Sequence, residues 1–270
     1  MTPGFADLKL GSATAEVGNW QRFLTERGFF DHEGKPPIDD EMFGPRTLYA
    51  TKSWQARNQL PMTGIISVGD RKIAQDQGFI PFLQARNCTL IYPKKRGIDV
   101  IVIHTMENDE KPDSAENVAL WFAGLTRYQA PIASAHYNID EDSVVQSVRD
   151  MDVAWHAPGA NHDGIGLEHA GRARQTRAEW HDEKSERILD RSAWLAARLV
   201  RRYRIPIVKL TSGELRAGER GFCAHADATL AFPGPGRTHW DPGANFPWGA
   251  YLDRILNLIS RPSSTPVSRP

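Results

Sequence analysis

Cysteine is scarce in this 270-residue sequence, which contains only Cys88 and Cys223, too few for a disulfide framework. No run reaches the ~18 apolar residues of a membrane span, and the start Met1–Asp7 is not that of a signal peptide. Lysine plus arginine equals aspartate plus glutamate at 33 each, whereas a nucleic-acid-binding protein would carry a basic excess. We therefore expect a soluble protein made in the cytoplasm, with no nucleic-acid partner. If its target lies outside the membrane, another factor must release it.

The length and the hydrophobic content of 40% suit one large domain or two smaller ones. A change from helical to strand-rich patterning near residue 98 favours two. We predict a small helical domain at residues 1–80, a linker at 81–97 and a larger domain at 98–260. The Ser/Pro-rich tail at 261–270 is expected to be disordered.

The N-terminal part has the apolar spacing of amphipathic helices. Val17, Trp20 and Leu24 recur at three- and four-residue intervals. Pro45 stands at a favoured first helical position, and residues 68–77 form a third, shorter pattern. We predict an all-α unit of three helices.

The C-terminal part alternates strands with helices. Residues 99–104 form a continuous apolar run that ends in His104 and is typical of a buried strand. The remaining predicted elements are a hairpin at 134–139 and 143–148, a strand at 164–168, and helices at 113–122, 185–203 and 248–259. This order predicts an α/β fold with a mixed sheet flanked by helices.

The stretch from Phe222 to Trp248 concentrates candidate metal ligands. His225, His239 and Asp241 fall within seventeen residues on a backbone rich in proline and glycine. Imidazoles and a carboxylate are ligands that Zn²⁺ accepts, and a catalytic zinc needs three protein ligands with one position open. His104, at the end of a buried strand, is the best upstream partner. The same side chains could instead be surface or capping groups.

Residues 1–80 carry a first family resemblance. The segments 8–12, 20–24, 43–47, 54–55 and 60–64 resemble the three-helix peptidoglycan-binding domain found on cell-wall hydrolases. The loop at 36–42 departs from that family, which has a tight Asp-Gly turn there. The resemblance implies that peptidoglycan is the binding partner.

Residues 98–260 carry a second resemblance, through six motifs in order. They are Val102–Thr105, Ser134–Tyr137, Ala154–Ala157, Gly164–Glu168, His225 and Thr238–Gly243. Together they resemble the zinc-dependent N-acetylmuramoyl-L-alanine amidase family, which includes phage lysozyme-like amidases, muropeptide amidases and the animal peptidoglycan recognition proteins.

The amidase resemblance implies roles for particular residues. His104, His225 and Asp241 match the three zinc ligands, and Glu168 matches the catalytic carboxylate that moves the proton of the attacking water. His239 stands where many members have lysine, so we expect it to act as a catalytic donor whose charge fades as pH rises through about 6.5.

Further residues are expected around this site. The resemblance makes Trp155 and His156 walls of the substrate cleft. We group His136 with them as substrate-binding, because it is better explained as a sheet-buried histidine beside the site than as a fourth ligand. The other histidines considered, His162, His169 and His181, are expected at the surface.

Both resemblances imply a modular hydrolase that cleaves the amide between N-acetylmuramic acid and L-alanine. Such a monomeric, phage-encoded endolysin would act on the bacterial wall after release. A non-catalytic peptidoglycan sensor of the same fold is one alternative, although sensors typically lack a zinc ligand. A cytoplasmic muropeptide-recycling amidase is another. A glycosidase would need a second carboxylate facing the sugar bond, and the matched motifs offer none beside Glu168.

Overall fold

The structure is a computed structural model that describes residues 5–91, 94–236 and 238–260. The tail predicted to be disordered, 261–270, lies outside the described residues. Among those residues, no helix combines the length and the apolar character needed to cross a membrane.

Three helices form the N-terminal unit and confirm the helical prediction. They are α1 (Ala15–Glu26), α2 (Pro45–Arg57) and α3 (Val68–Asp76). Trp20 lies at their centre, with its ring 5.1 Å from the rings of both Trp54 and Phe79. Its indole N–H donates to Thr51 Oγ1 at 2.8 Å, so this buried polar group is paired. The unit therefore has a hydrophobic core of its own. Its boundary at residue 80 stays a prediction.

The C-terminal part contains seven strands and five α-helices among the described residues. In chain order they are β1 (Cys88–Thr89), β2 (Val100–Thr105), α4 (Ser114–Phe122), β3 (Tyr137–Ile139), β4 (Val144–Gln146), β5 (Val153–Ala154), β6 (Gly164–His169), α5 (Glu183–Tyr203), α6 (Ser212–Arg216), β7 (Gly221–Ala224), α7 (His225–Ala231) and α8 (Trp248–Ser260).

Five of these strands form a mixed sheet in the order β4-β3-β6-β2-β7. Strands β3, β6, β2 and β7 are parallel, whereas β4 pairs with β3 as the predicted antiparallel hairpin. β1 and β5 form a separate two-stranded ladder. The central strand β2 is buried along its whole length, as its continuous apolar sequence indicated. The predicted mixed α/β fold is confirmed.

The two faces of the sheet are covered differently. Ile103 and Leu167 point to the face covered by α5 and α8. Val102 and Cys223 point to the other face, which packs against α7 and the 157–160 turn. Because side chains alternate along a strand, His104 lies on the same face as Val102, at the carboxyl edge of the sheet. This edge is where the polar residues of the chain converge.

Polar contacts join the N-terminal unit to the rest of the chain. Arg149 forms a bidentate ion pair with Glu41 at 3.1 and 2.7 Å, and Arg198 pairs with Glu26 at 2.9 Å. The Asn19 amide donates to Gln146 Oε1 at 3.0 Å. A cleft of about 730 Å³ lies between the two parts. The N-terminal unit is thus docked through charged and polar groups.

Candidate active site

Four polar side chains reach one edge of the sheet from separate elements. His104 stands near the end of β2, and Glu168 lies directly opposite it on β6. His225 is the first residue of α7, immediately after β7. Asp241 lies in the loop that leads to α8. Parallel strands end at the same edge, which brings residues far apart in sequence together.

His104, His225 and Asp241 form a compact buried cluster. His104 Nδ1 lies 3.2 Å from Asp241 Oδ2, and His225 Nδ1 lies 3.2 Å from Asp241 Oδ1. The two imidazole Nδ1 atoms are 3.1 Å apart. One ligand atom from each residue lies within 4.8 Å of the others, and no other group of described residues meets this condition. Facing nitrogens beside a carboxylate are a donor set that suits Zn²⁺.

The surroundings favour the ligand forms of two of these groups. Burial lowers the pKa of His104 to about 4, although Asp241 opposes the shift, so the ring is neutral near pH 7. Burial opposes the ionisation of Asp241, but hydrogen bonds to His104 and His225 overcome it and hold the pKa of the carboxyl well below its usual range. A neutral imidazole and an ionised carboxylate are the forms that bind a metal ion.

Glu168 is placed to exchange a proton beside this cluster. Burial raises its pKa well above the ordinary value, and the nearby charges of Asp241 and Glu107 add to the effect. Its Oε2 atom is buried and has no hydrogen-bond partner. A buried unpaired carboxyl oxygen is costly for the fold alone, so this atom is a candidate for contact with substrate or water.

His239 lies at the solvent side of the cluster. Its ring stacks on His225, with centroids 4.1 Å apart, and its Nδ1 is 3.8 Å from Asp241 Oδ1. The side chain is 57% exposed. Partial burial and the neighbouring His225 lower its pKa. The sequence suggested loss of its charge near pH 6.5; the lowered pKa moves that loss to lower pH.

The three residues expected to bind substrate are placed differently. Trp155 is 37% exposed, and its indole N–H donates to Thr89 Oγ1 at 3.0 Å. His156 is buried, with Nδ1 3.1 Å from His104 Nε2. His136 is fully buried, and its Nδ1 accepts from the Gly166 amide at 3.1 Å. Burial leaves these two imidazoles behind His104, without the exposed surface of a cleft wall.

His169 corrects another expectation. His162 and His181 are exposed as predicted, but His169 is fully buried. Its Nδ1 lies 3.0 Å from the carbonyl oxygen of His104, and its Nε2 lies 2.6 Å from Ser192 Oγ. As the last residue of β6, it points to the opposite face from Glu168 and beneath α5.

Sequence reasoning missed Glu107, which lies in the loop after β2. Its carboxylate accepts from Thr105 Oγ1 at 2.6 Å and from the Ala173 amide at 2.8 Å. Its φ of 54° is in the left-handed region, which such residues seldom adopt outside constrained sites. The available signal was its position just beyond the carboxyl end of β2, at the edge where Glu168 also lies.

Comparison with known proteins agrees with this arrangement. The sequence profile of the family described as N-acetylmuramoyl-L-alanine amidase matches residues 94–244. N-acetylmuramoyl-L-alanine amidase A of Achromobacter lyticus is 30% identical over 165 residues, which cover 57% of this chain and 81% of that protein.

Solved structures with similarity to this chain include two hydrolases. The hydrolase AmiA of Staphylococcus aureus is 16% identical, with 72% of this chain and 92% of that chain covered and a TM-score of 0.46. The amidase LysC from Clostridium intestinale URNW is 17% identical, with coverages of 60% and 87% and a TM-score of 0.40.

The profile match spans more than half of the chain and contains His104, Glu168, His225 and Asp241. The chain belongs to the N-acetylmuramoyl-L-alanine amidase family.

Proposed function

We propose that the protein is a zinc-dependent peptidoglycan hydrolase that cleaves the amide bond between N-acetylmuramic acid and L-alanine. The observation that carries this proposal is the convergence of His104, His225 and Asp241 beside Glu168. Family membership supplies the reaction class.

His104, His225 and Asp241 would hold the metal. Zn²⁺ bound there would supply Lewis-acid chemistry, polarising the scissile carbonyl and lowering the pKa of water. The fit rests on the donor set and on the short distances between Nδ1 atoms and carboxylate oxygens. Cys223 is buried among apolar residues on β7 and takes no part in the cluster.

Glu168 would act as general base and then as general acid. Its unpartnered Oε2 accepts the proton of the attacking water, and the raised pKa of the carboxyl lets it hold that proton. Release of the proton to the departing L-alanine nitrogen completes the cleavage. His239, stacked at the exposed side of the cluster, would donate a hydrogen bond to the oxygen on which charge develops.

The N-terminal unit would keep the enzyme on its polymer. We assign peptidoglycan binding to residues 1–80, because the helices and the buried Trp20 and Trp54 agree with the motifs that suggested this role. Trp155 would contact substrate through its exposed part. A wall-binding unit joined to an amidase unit is the layout of an endolysin.

The test is digestion of purified peptidoglycan by the zinc-loaded protein, a chelated sample and two variants. Glu168→Gln should lower kcat by about 10²–10⁴-fold because it removes the proton acceptor. Glu183→Gln is the control, since Glu183 is exposed on the surface of α5. Mass spectrometry should identify new L-alanine amino termini.

Other outcomes of this digestion would contradict different parts of the proposal. New reducing sugar ends would indicate a glycosidase. Binding without cleavage would indicate a sensor, and cleavage of soluble muropeptides alone would indicate a recycling enzyme. Full activity in the chelated sample would contradict the role of zinc.

A further inference from the structure

The His104 ring has two nitrogens with different neighbours. Nδ1 faces Asp241 and His225, whereas Nε2 faces His156 Nδ1 at 3.1 Å. The role of each nitrogen in metal binding rests on the metal site of the proposed function, in which Nδ1 is the ligand atom. To bind a metal through Nδ1, a neutral His104 must carry its proton on Nε2. That N–H can donate only if His156 Nδ1 is the acceptor.

The tautomer of His156 follows from this requirement. With a lone pair on Nδ1, the ring carries its proton on Nε2, and this atom is buried without a hydrogen-bond partner. A buried unpaired N–H costs roughly 1–3 kcal/mol. The fold thus holds His156 in an orientation that leaves its Nε2 without a hydrogen-bond partner. The same orientation places its Nδ1, as an acceptor, against His104 Nε2.

The surrounding backbone is shaped to hold this ring. A Cβ on Gly166 would lie 2.7 Å from His156 Cγ and 2.9 Å from its Nδ1, closer than real Cβ contacts. The amides of His156 and Ala157 both donate to Asn161 Oδ1, at 2.9 and 2.6 Å. His136 packs edge-on against the ring, with centroids 5.6 Å apart. The Gly-Ile-Gly sequence of β6 therefore provides the space in which His156 lies.

We infer that His156 is a positioning residue that fixes the tautomer and orientation of His104 for metal binding, and that Gly166 is glycine to accommodate it. Metal-binding histidines generally donate their second ring N–H to a carboxylate, a carbonyl or water, and loss of such a partner typically weakens metal binding or activity 10- to 100-fold. In this protein an imidazole is the acceptor. The role differs from that of a substrate-cleft wall.

The test compares two variants that both remove the imidazole. His156→Asn keeps an acceptor oxygen near the position of Nδ1, whereas His156→Gln extends its amide towards the position of Nε2. Zinc affinity is measured by competition with a chromophoric chelator. We expect His156→Gln to bind zinc about 10- to 100-fold more weakly than the wild type. If its loss is about a hundredfold, His156→Asn, which keeps the acceptor, should bind zinc at least about tenfold more tightly than His156→Gln.

Gly166→Ala tests the same role without altering the imidazole. The added methyl group displaces the ring, so zinc affinity should fall as it does in His156→Gln. Gly69→Ala is the matched control, because the nearest atom to its Cβ would be 3.8 Å away. Thermal unfolding of the metal-free variants shows whether they fold. In the zinc-loaded wild type, long-range ¹H–¹⁵N spectra should place the His104 proton on Nε2.

Three results would overturn the inference. The first is a zinc affinity equal to that of the wild type in folded His156→Gln and Gly166→Ala. The second is a His104 proton on Nδ1 in the zinc-loaded wild type. The third is a His156 variant with a raised KM and an unchanged zinc affinity, as expected for a residue that lines the substrate cleft. Since the readout is zinc affinity, a wild type that binds zinc without cleaving peptidoglycan would refute the proposed function alone. A wild type that binds no zinc would refute both.

Discussion

His104 and Glu168 occupy opposing positions on adjacent strands, so the backbone register alone sets their spacing. A sequence pattern can predict this pair, because both residues close recognisable apolar segments. The direction of His156 could not be predicted in the same way. It depends on the 156–161 turn, on Asn161 and on the absence of a side chain at Gly166, which act through tertiary contacts rather than through periodicity.

At Gly243, the chain that follows Asp241 passes very close to the backbone of Ala173. A Cβ on Gly243 would lie 1.8 Å from the carbonyl oxygen of Ala173, and its φ is 88°. Gly243→Ala must therefore shift the loop. We expect a loss of about 2–5 kcal/mol in the free energy of unfolding, the sum of backbone strain and overpacking, together with weaker zinc binding.

Gly236→Ala is the control for this change. Gly236 lies in the same loop at φ 72°, and a Cβ there meets nothing within 4 Å. It should lose only the ~1–2 kcal/mol of left-handed backbone strain and keep its zinc affinity. Urea unfolding measures the free energy of unfolding of each variant, and zinc titration measures its zinc affinity. Equal losses in the two variants would contradict the steric explanation.

Among the elements, the central strand β2, the β3–β4 hairpin and the long helices could be predicted, α8 included, but β7 and α7 could not. The apolar face of α5 and the alternation around β3 and β4 are clear in the sequence. The prolines and glycines of residues 222–248 favour a loop throughout, whereas the structure begins this stretch with β7 and α7. β7 has four residues, too few for a periodic signal, and pairing with β2 specifies it.

The ion pair between Arg149 and Glu41 joins the N-terminal unit to the rest of the chain. Arg149 and Glu41 are each about one quarter exposed and pair through two hydrogen bonds. A double-mutant cycle with Arg149→Met and Glu41→Gln should give a coupling of about 0.5–1 kcal/mol. Urea unfolding measures the coupling, and proteolysis of the 81–97 connection should accelerate in both single variants.

The exposed Lys35–Glu33 pair provides the comparison, since both residues belong to the N-terminal unit and neither lines the cleft. Breaking it should leave cleavage of the connection unchanged. If proteolysis responds equally to both pairs, the docking contact has no special role.

For the molecule as a whole, a ligand that binds only the folded state stabilises it. Zinc at 100 times its dissociation constant should add about 2.7 kcal/mol, or roughly 5 °C or more in Tm for a domain of this size. Calorimetry with and without a chelator measures the shift. Glu168→Gln should keep the shift and His225→Ala should lose it; a shift retained by His225→Ala would contradict the assigned ligand set.

Stability should also depend on pH through buried imidazoles. Burial lowers the pKa of His136 well below its ordinary value, and Arg96 adds to the effect. Below pH 6.5 the unfolded chain binds a proton that the folded state excludes, so the free energy of unfolding falls as pH falls, by at most about 1.4 kcal/mol per pH unit for this histidine. Above pH 6.5 His136 is neutral in both states, so its contribution to the free energy of unfolding no longer changes with pH.

Urea unfolding of the chelated protein between pH 5 and pH 8 measures this dependence without interference from a bound metal. His136→Gln removes the titrating group and should flatten the slope below pH 6.5. A variant that folds and shows the wild-type slope would contradict the assignment.

The three cluster residues are far apart in the sequence. His225 lies 121 positions after His104, and Asp241 lies further still along the chain. A chain emerging from the ribosome can therefore complete the cluster only after almost the entire catalytic fold has been synthesised. Incomplete or proteolytically shortened chains that end before residue 241 lack one cluster residue. Under the proposed mechanism, hydrolysis requires a chain that has been synthesised as far as Asp241, so partial products of translation would not cleave the wall.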